Sequence, residues 1–310
     1  MAVEVRPVTI HADGLRLAGD LRVPEAATSA RSAPQPAVVL TGPFTGVKEQ
    51  VTGRYAEALA ERGLVTLAFD HRGFGASEGE PRQHEDAAGK LADLRAATSM
   101  LAGLAEVDRD RIGCVGICLG GSYAVRHAAF DPRVRALALV AGGYNDPAEM
   151  RRGMGPDRYR DLLAGLAEVA ERTYHTGEVE YLAAVSADGG EAAMPGREPW
   201  EYYGTDRSPT GGWVNRVTRE SIRELVTFDA ASAAAFIAPT PTLLVHGTRD
   251  DYCSPEGAAR LYERLGGPKD ALWLETTNHI DLYDVDAYVE PAVERVAAWF
   301  DEHLRVASPA

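Results

Sequence analysis

One stretch constrains this chain more than any other: Arg111-Ile112-Gly113-Cys114-Val115-Gly116-Ile117, then Cys118-Leu119-Gly120-Gly121, then a helical pattern from Ser122 to Ala129. The apolar run reads as a parallel strand covered on both faces. A strand that turns through glycines directly into a helix must pack closely against that helix, and the residue at the turn, Cys118, then projects from the strand's end. Such a strand needs parallel neighbours and helices above and below it, which implies an α/β architecture.

The rest of the chain supplies them. Short apolar runs at 37–40, 64–69 and 134–140 alternate with helical patterns near 51–62 and 89–104, and the rhythm resumes with a strand at 242–246, a helix at 255–265, a strand at 271–275 and a helix at about 285–304. This is the grammar of repeated βαβ units. Before it, apolar residues alternate from Val5 to Val23 around Asp13-Gly14, a dipeptide that favours a tight turn, so an antiparallel hairpin is expected. The stretch Pro24 to Pro36 reads as an exposed linker. From 145 to 235 the rhythm breaks into helical stretches, such as 158–174, mixed with Gly-Gly and Pro-containing loops and many aromatics. The division that follows is a core of 1–144 and 236–310 with 145–235 inserted as a helical cap.

With 310 residues, 45% hydrophobic and 25% charged, the chain can bury a large core. A net charge of −14 excludes nucleic-acid binding, which depends on clustered Lys and Arg. Three cysteines, Cys114, Cys118 and Cys253, make a disulfide framework improbable. No basic leader and no run of about eighteen apolar residues is present, so a cytoplasmic location without membrane association is expected. No His-Glu-x-x-His helix and no closely spaced cysteine pair occurs, so neither a metal nor another cofactor is expected. The sequence Gly73-Phe74-Gly75-Ala76-Ser77-Glu78 lacks the last glycine of a dinucleotide fingerprint.

The pattern Gly116-Ile117-Cys118-Leu119-Gly120 is a Gly-x-nucleophile-x-Gly turn between strand and helix. A thiol there sits at a helix N-terminus, where unpaired N–H groups and the helix dipole favour the thiolate. The alternative is a small hydrophobe in a packing turn, the reading preferred for Cys114. An acid and a base should follow in chain order. Asp250, in His246-Gly247-Thr248-Arg249-Asp250-Asp251 after a strand, is the chosen acid, with Asp251 its rival and helix capping the alternative for either. His279, in Thr277-Asn278-His279 after the next strand, is the chosen base. Tyr174, Tyr181, Trp200, Tyr202, Tyr203 and Trp213 offer aromatic surface for a pocket, or for packing of the cap or a dimer contact.

On these residues the chain resembles an α/β-hydrolase of the dienelactone-hydrolase and peptidase-like type, whose Gly-x-Cys-x-Gly-Gly elbow it matches. Thr41-Gly42-Pro43-Phe44, Gly46-Val47-Lys48-Glu49-Gln50 and Asp70-His71-Arg72-Gly73-Phe74-Gly75-Ala76-Ser77 agree further. The resemblance implies a Cys118-Asp250-His279 triad, oxyanion N–H groups from Leu119 and from Phe44 or Thr45, and a scaffolding role for the loop 70–77. It departs from the common pattern in carrying Cys for Ser. The reaction expected is attack of Cys118 on an activated carbonyl (a lactone, enol ester or thioester) of a hydrophobic small molecule, with an acyl-cysteine intermediate. The same residues permit a cyclase or an acyltransferase, and a carrier-bound acyl thioester is a conceivable substrate. A scaffold protein without activity is the reading from another class, and a homodimer is left open.

Overall fold

In the computed structural model, residues 2–28, 33–208 and 211–305 are described. Strands β1 (Val3–Ala12) and β2 (Leu15–Pro24) form the expected hairpin, with Asp13 and Gly14 both at positive φ in its turn. The linker begins differently from the expectation: β2 runs as far as Pro24, and one helical turn, α1 (Glu25–Thr28), follows it. Residues 29–32 of that linker lie outside the described residues.

The alternation then proceeds as β3 (Gln35–Thr41), α2 (Val51–Ala60), β4 (Val65–Phe69), α3 (Ala87–Ala102), β5 (Val107–Ile117), α4 (Gly120–Phe130) and β6 (Val134–Val140). After β6 come α5 (Pro147–Met154), α6 (Pro156–Thr176), β7 (Tyr181–Leu182), α7 (Arg197–Tyr203), β8 (Val217–Thr218) and α8 (Ser221–Thr227). A 3-10 turn at Ala231–Phe236 packs back onto α4, and the chain re-enters the sheet with β9 (Thr242–Gly247), α9 (Pro255–Arg264), β10 (Lys269–Leu274), α10 (Asp281–Asp284) and α11 (Asp286–His303). The expected final helix is α11, and the short α10 precedes it, with Val285 between them in extended conformation.

One eight-stranded sheet has the order β1-β2-β4-β3-β5-β6-β9-β10. Among the described residues of this sheet only the pairings β1–β2 and β2–β4 are antiparallel, and β7 and β8 form a separate antiparallel pair. The chain thus forms an α/β-hydrolase fold: a mostly parallel sheet with helices around it and an antiparallel hairpin at one edge. The burial of β5 explains the apolar run that marked it, because every residue from Ile112 to Ile117 is buried. Apolar clusters lie on both faces, with Leu94, Leu101 and Val125 on one and Leu59, Val293 and Phe300 on the other. No helix among the described residues is long and apolar enough to cross a membrane.

The loop 70–77 ties the sheet to the segment after β3. The buried Asp70 carboxylate accepts from Lys48 N (2.8 Å) and Ala76 N (2.9 Å), and Ser77 Oγ bridges Asp70 O and Ala18 N. Gln50 Oε1 accepts from Val47 N in the same segment. Residues 44–50 are fixed beside the ends of β3 and β5 in this way.

Candidate active site

The turn after β5 is as tight as its glycines require. A Cβ on Gly116 would lie 2.6 Å from Ala124 Cβ and from Gly120 O, and one on Gly120 would run into the carbonyl oxygen of Thr41. Cys118 has φ of 54°, a left-handed conformation that costs a residue with a Cβ about 1 to 3 kcal/mol. Three backbone bonds hold it there: Cys118 N to Val140 O (3.1 Å), Gly121 N to Cys118 O (2.8 Å) and Gly143 N to Cys118 O (2.8 Å). The sulfur is thereby presented where α4 begins.

The loop after β9 brings Asp250 to the same edge. Its Oδ1 accepts from Tyr252 N (2.9 Å) and Cys253 N (2.7 Å), while Oδ2 meets His279 Nδ1 at 2.6 Å. Asp251 is exposed. The loop after β10 carries His279 and is shaped by Asp281, whose Oδ2 accepts from Thr277 N and Thr277 Oγ1, with Glu198 accepting from Ile280 N. His279 Nε2 faces the Tyr283 hydroxyl at 2.9 Å. Cys118, Cys253 and His279 offer atoms that all lie within 4.8 Å of one another.

The electrostatics follow from this grouping. The Cys253 thiol, 3.8 Å from Cys118 Sγ, holds the Cys118 thiol well below its ordinary value; burial opposes this and the charge of His279 adds to it. Burial pushes His279 down, but the Cys118 thiolate and the Asp250 carboxylate together raise it to about 10. The arrangement therefore favours a thiolate beside an imidazolium, while Cys253, raised by its bond to Cys118 and by burial, keeps its proton.

A pocket of about 190 Å³ opens over Cys118. Phe44, Leu119, Met194, Tyr203, Tyr252 and Tyr283 are among the residues lining it. Of the six aromatics read from the sequence, only Tyr203 is in its wall. Trp213 stands behind, stacked on Tyr203 at 5.5 Å and donating Nε1–H to Thr45 Oγ1. Tyr202 is buried edge-on to Tyr203 and Tyr283, and Trp200 packs against the same cluster. Tyr181 turns its hydroxyl to Arg82 O, 3.0 Å away. Tyr174 is 85% exposed on α6 and is not part of this wall. Aromatics concentrate in one segment of the sequence, whereas the wall residues Tyr252, Cys253 and Tyr283 belong to the acid and base loops. Their signal was proximity: Cys253 follows Asp250 by three residues, and Tyr283 lies one helical turn beyond His279.

Residues 46–285 match the family described as serine aminopeptidase, S33. The chain belongs to this α/β-hydrolase family. It is 35% identical to uncharacterized protein YcjY of Escherichia coli (strain K12), over 86% of this chain and 89% of that protein. The crystal structure of hypothetical protein PA2218 from Pseudomonas aeruginosa superposes with a TM-score of 0.86 at 32% identity, covering 97% of this chain and 94% of the other. Fungal relatives carry names for reactions. Thiohydrolase aneE of Aspergillus aculeatus is 28% identical, over 89% of this chain and 86% of that protein. Acyltransferase drtE of Aspergillus calidoustus is 26% identical, over 87% and 88%. The family and these relatives make the chain a hydrolase-like enzyme.

Proposed function

We propose that the protein cleaves or transfers an acyl group from an activated carbonyl through an acyl-cysteine intermediate on Cys118, as the dienelactone-hydrolase-like form of its elbow suggests. The observation that carries this reading is the join of His279 to Asp250 at 2.6 Å, with the imidazole set against the sulfur of a strained elbow residue.

The Cys118 thiolate attacks the carbonyl carbon, and the oxyanion is held by N–H groups of Leu119 and Phe44, both in the pocket wall. Asp250 holds one imidazolium proton on Nδ1, so the second, on Nε2 beside the Tyr283 hydroxyl, passes to the departing group, and Nε2 then takes one from the incoming nucleophile. A thiolate leaves as readily as it attacks, so the substrate class is one whose own leaving group competes with it: a thioester, lactone or enol ester. The pocket's largely apolar walls suit a hydrophobic acyl group, and the segment 145–235 acts as a cap that contributes Met194 and Tyr203 to it.

Release to water gives hydrolysis, the reaction in the name of the aneE relative. Release to an alcohol or amine gives transfer or ring closure, and the drtE relative, named an acyltransferase, favours keeping that second outcome. A carrier-bound acyl thioester would serve either. The test is turnover of a panel of acyl thioesters, lactones and enol esters by the protein and by Cys118→Ala, with and without an alcohol or amine acceptor. Turnover of at least one of them that Cys118→Ala abolishes supports the reading, and acceptor-dependent product distinguishes transfer from hydrolysis. Equal turnover by both proteins would overturn it.

A further inference from the structure

Cys118 and Cys253 stand 3.8 Å apart, sulfur to sulfur, although 135 residues separate them in the chain. Two thiolates each about 2.3 Å from one tetrahedral zinc ion lie about 3.8 Å from each other. The sulfur pair is therefore already at the spacing of two ligands on one ion. A nitrogen of His279 completes a three-atom cluster within 4.8 Å, where a thiolate and an imidazole nitrogen sharing a tetrahedral zinc are about 3.5 Å apart.

Two further features fit a metal site. His279 Nδ1 is engaged by Asp250 at 2.6 Å, which makes Nε2 the ligand atom once it exchanges its 2.9 Å contact with the Tyr283 hydroxyl for the ion, and supplies the carboxylate behind the imidazole that zinc-bound histidines use. The cluster also lies in the wall of an open pocket, so an ion can enter and a fourth position is left for water or a small ligand.

We propose that Cys118, Cys253 and His279 form a binding site for a borderline-soft divalent cation, zinc in the first place, with two thiolates, one imidazole and one open position. The ligands bind as thiolates and neutral imidazole, so the protons they carry leave to solvent, and no electron is transferred. An ion held there engages the sulfur that the acyl-cysteine reading uses and so occludes it reversibly. This last consequence rests on that reading; the site itself does not.

The test uses Co²⁺ as a spectroscopic stand-in, titrated into the reduced full chain without substrate. One equivalent should produce a thiolate-to-cobalt charge-transfer band with the ligand-field bands of tetrahedral coordination, and Zn²⁺ should displace it. Cys253→Ala should lose part of the charge-transfer intensity, and Asp250→Asn should weaken affinity by about 10- to 100-fold. Absence of a charge-transfer band in the unmodified protein would overturn the proposal, as would a band unchanged by either Cys118→Ala or Cys253→Ala. Neither readout involves turnover. Failure of the acyl-cysteine reading is scored separately, on acylation in the presence of a chelator.

Discussion

Replacing Asp250 by Asn should reduce catalysis far more than stability, and the local hydrogen bonds show why. Asp250 Oδ1 accepts from two backbone amides, Tyr252 N at 2.9 Å and Cys253 N at 2.7 Å. An asparagine keeps both only by placing its carbonyl oxygen there, which turns its NH₂ toward His279 Nδ1. That nitrogen must then become an acceptor, so the imidazole proton moves to Nε2, the atom that should exchange protons with the reacting groups. In a hydrolase triad the same tautomer error lowers kcat by about 10⁴, equivalent to about 5.5 kcal/mol of transition-state stabilisation. The assay is turnover of an activated probe such as p-nitrophenyl acetate, with urea denaturation alongside. Asp251→Asn serves as the control because Asp251 is exposed. A rate within tenfold of the unmodified protein for Asp250→Asn, at unchanged stability, would refute the assignment of the acid.

Three other outcomes are expected. The lowered Cys118 thiol is ionised at pH values where an ordinary thiol, near about 8.5, is protonated; alkylation by iodoacetamide should therefore hold its rate as pH falls below that value, and Cys253→Ala should move the acid limb to higher pH. A tenfold fall per pH unit starting already at about 8.5 would contradict this. Gly116→Ala should cost about 1 to 3 kcal/mol in urea denaturation, because its Cβ would meet Ala124 Cβ and Gly120 O at 2.6 Å. Lys90→Met should cost about 3 to 5 kcal/mol, since Lys90 Nζ pairs with the fully buried Glu85 at 2.8 Å and Glu85 would lose its cation, keeping Tyr123 as its side-chain donor among the described residues.

Much of the fold is legible because buried parallel strands leave apolar runs, as Ile112–Ile117 in β5, Ala136–Val140 in β6 and Leu243–Val245 in β9 each do. Edges and termini are less legible. β5 begins at Val107, in a polar stretch whose residues pair only in part, and β10 is a half-exposed edge strand whose ends no pattern marks. The order of Cys118, Asp250 and His279 along the chain carries the candidate triad, because each follows a strand and all strands of the parallel set end on one side. The choice between Asp250 and Asp251 is not in the sequence; it comes from which carboxylate the 248–253 loop turns inward. The pocket wall is not legible for a related reason. Aromatic composition says nothing of direction, so Tyr174 faces solvent while Tyr283, on a helix of only four residues, reaches His279. Nor could spacing reveal the Cys118–Cys253 pair, which exists only because β5 and β9 both end beside β6.

In the proposed reaction Cys118 carries the acyl group. The most direct test is the mass of the intact protein, followed by peptide mapping, after rapid quenching with an acyl thioester in the presence of a chelator. One acyl group on Cys118, absent from Cys118→Ala and appearing no later than the released thiol, is the predicted result. Thiol release with Cys118 unmodified at every time point, or with the same rate in Cys118→Ala, would contradict it.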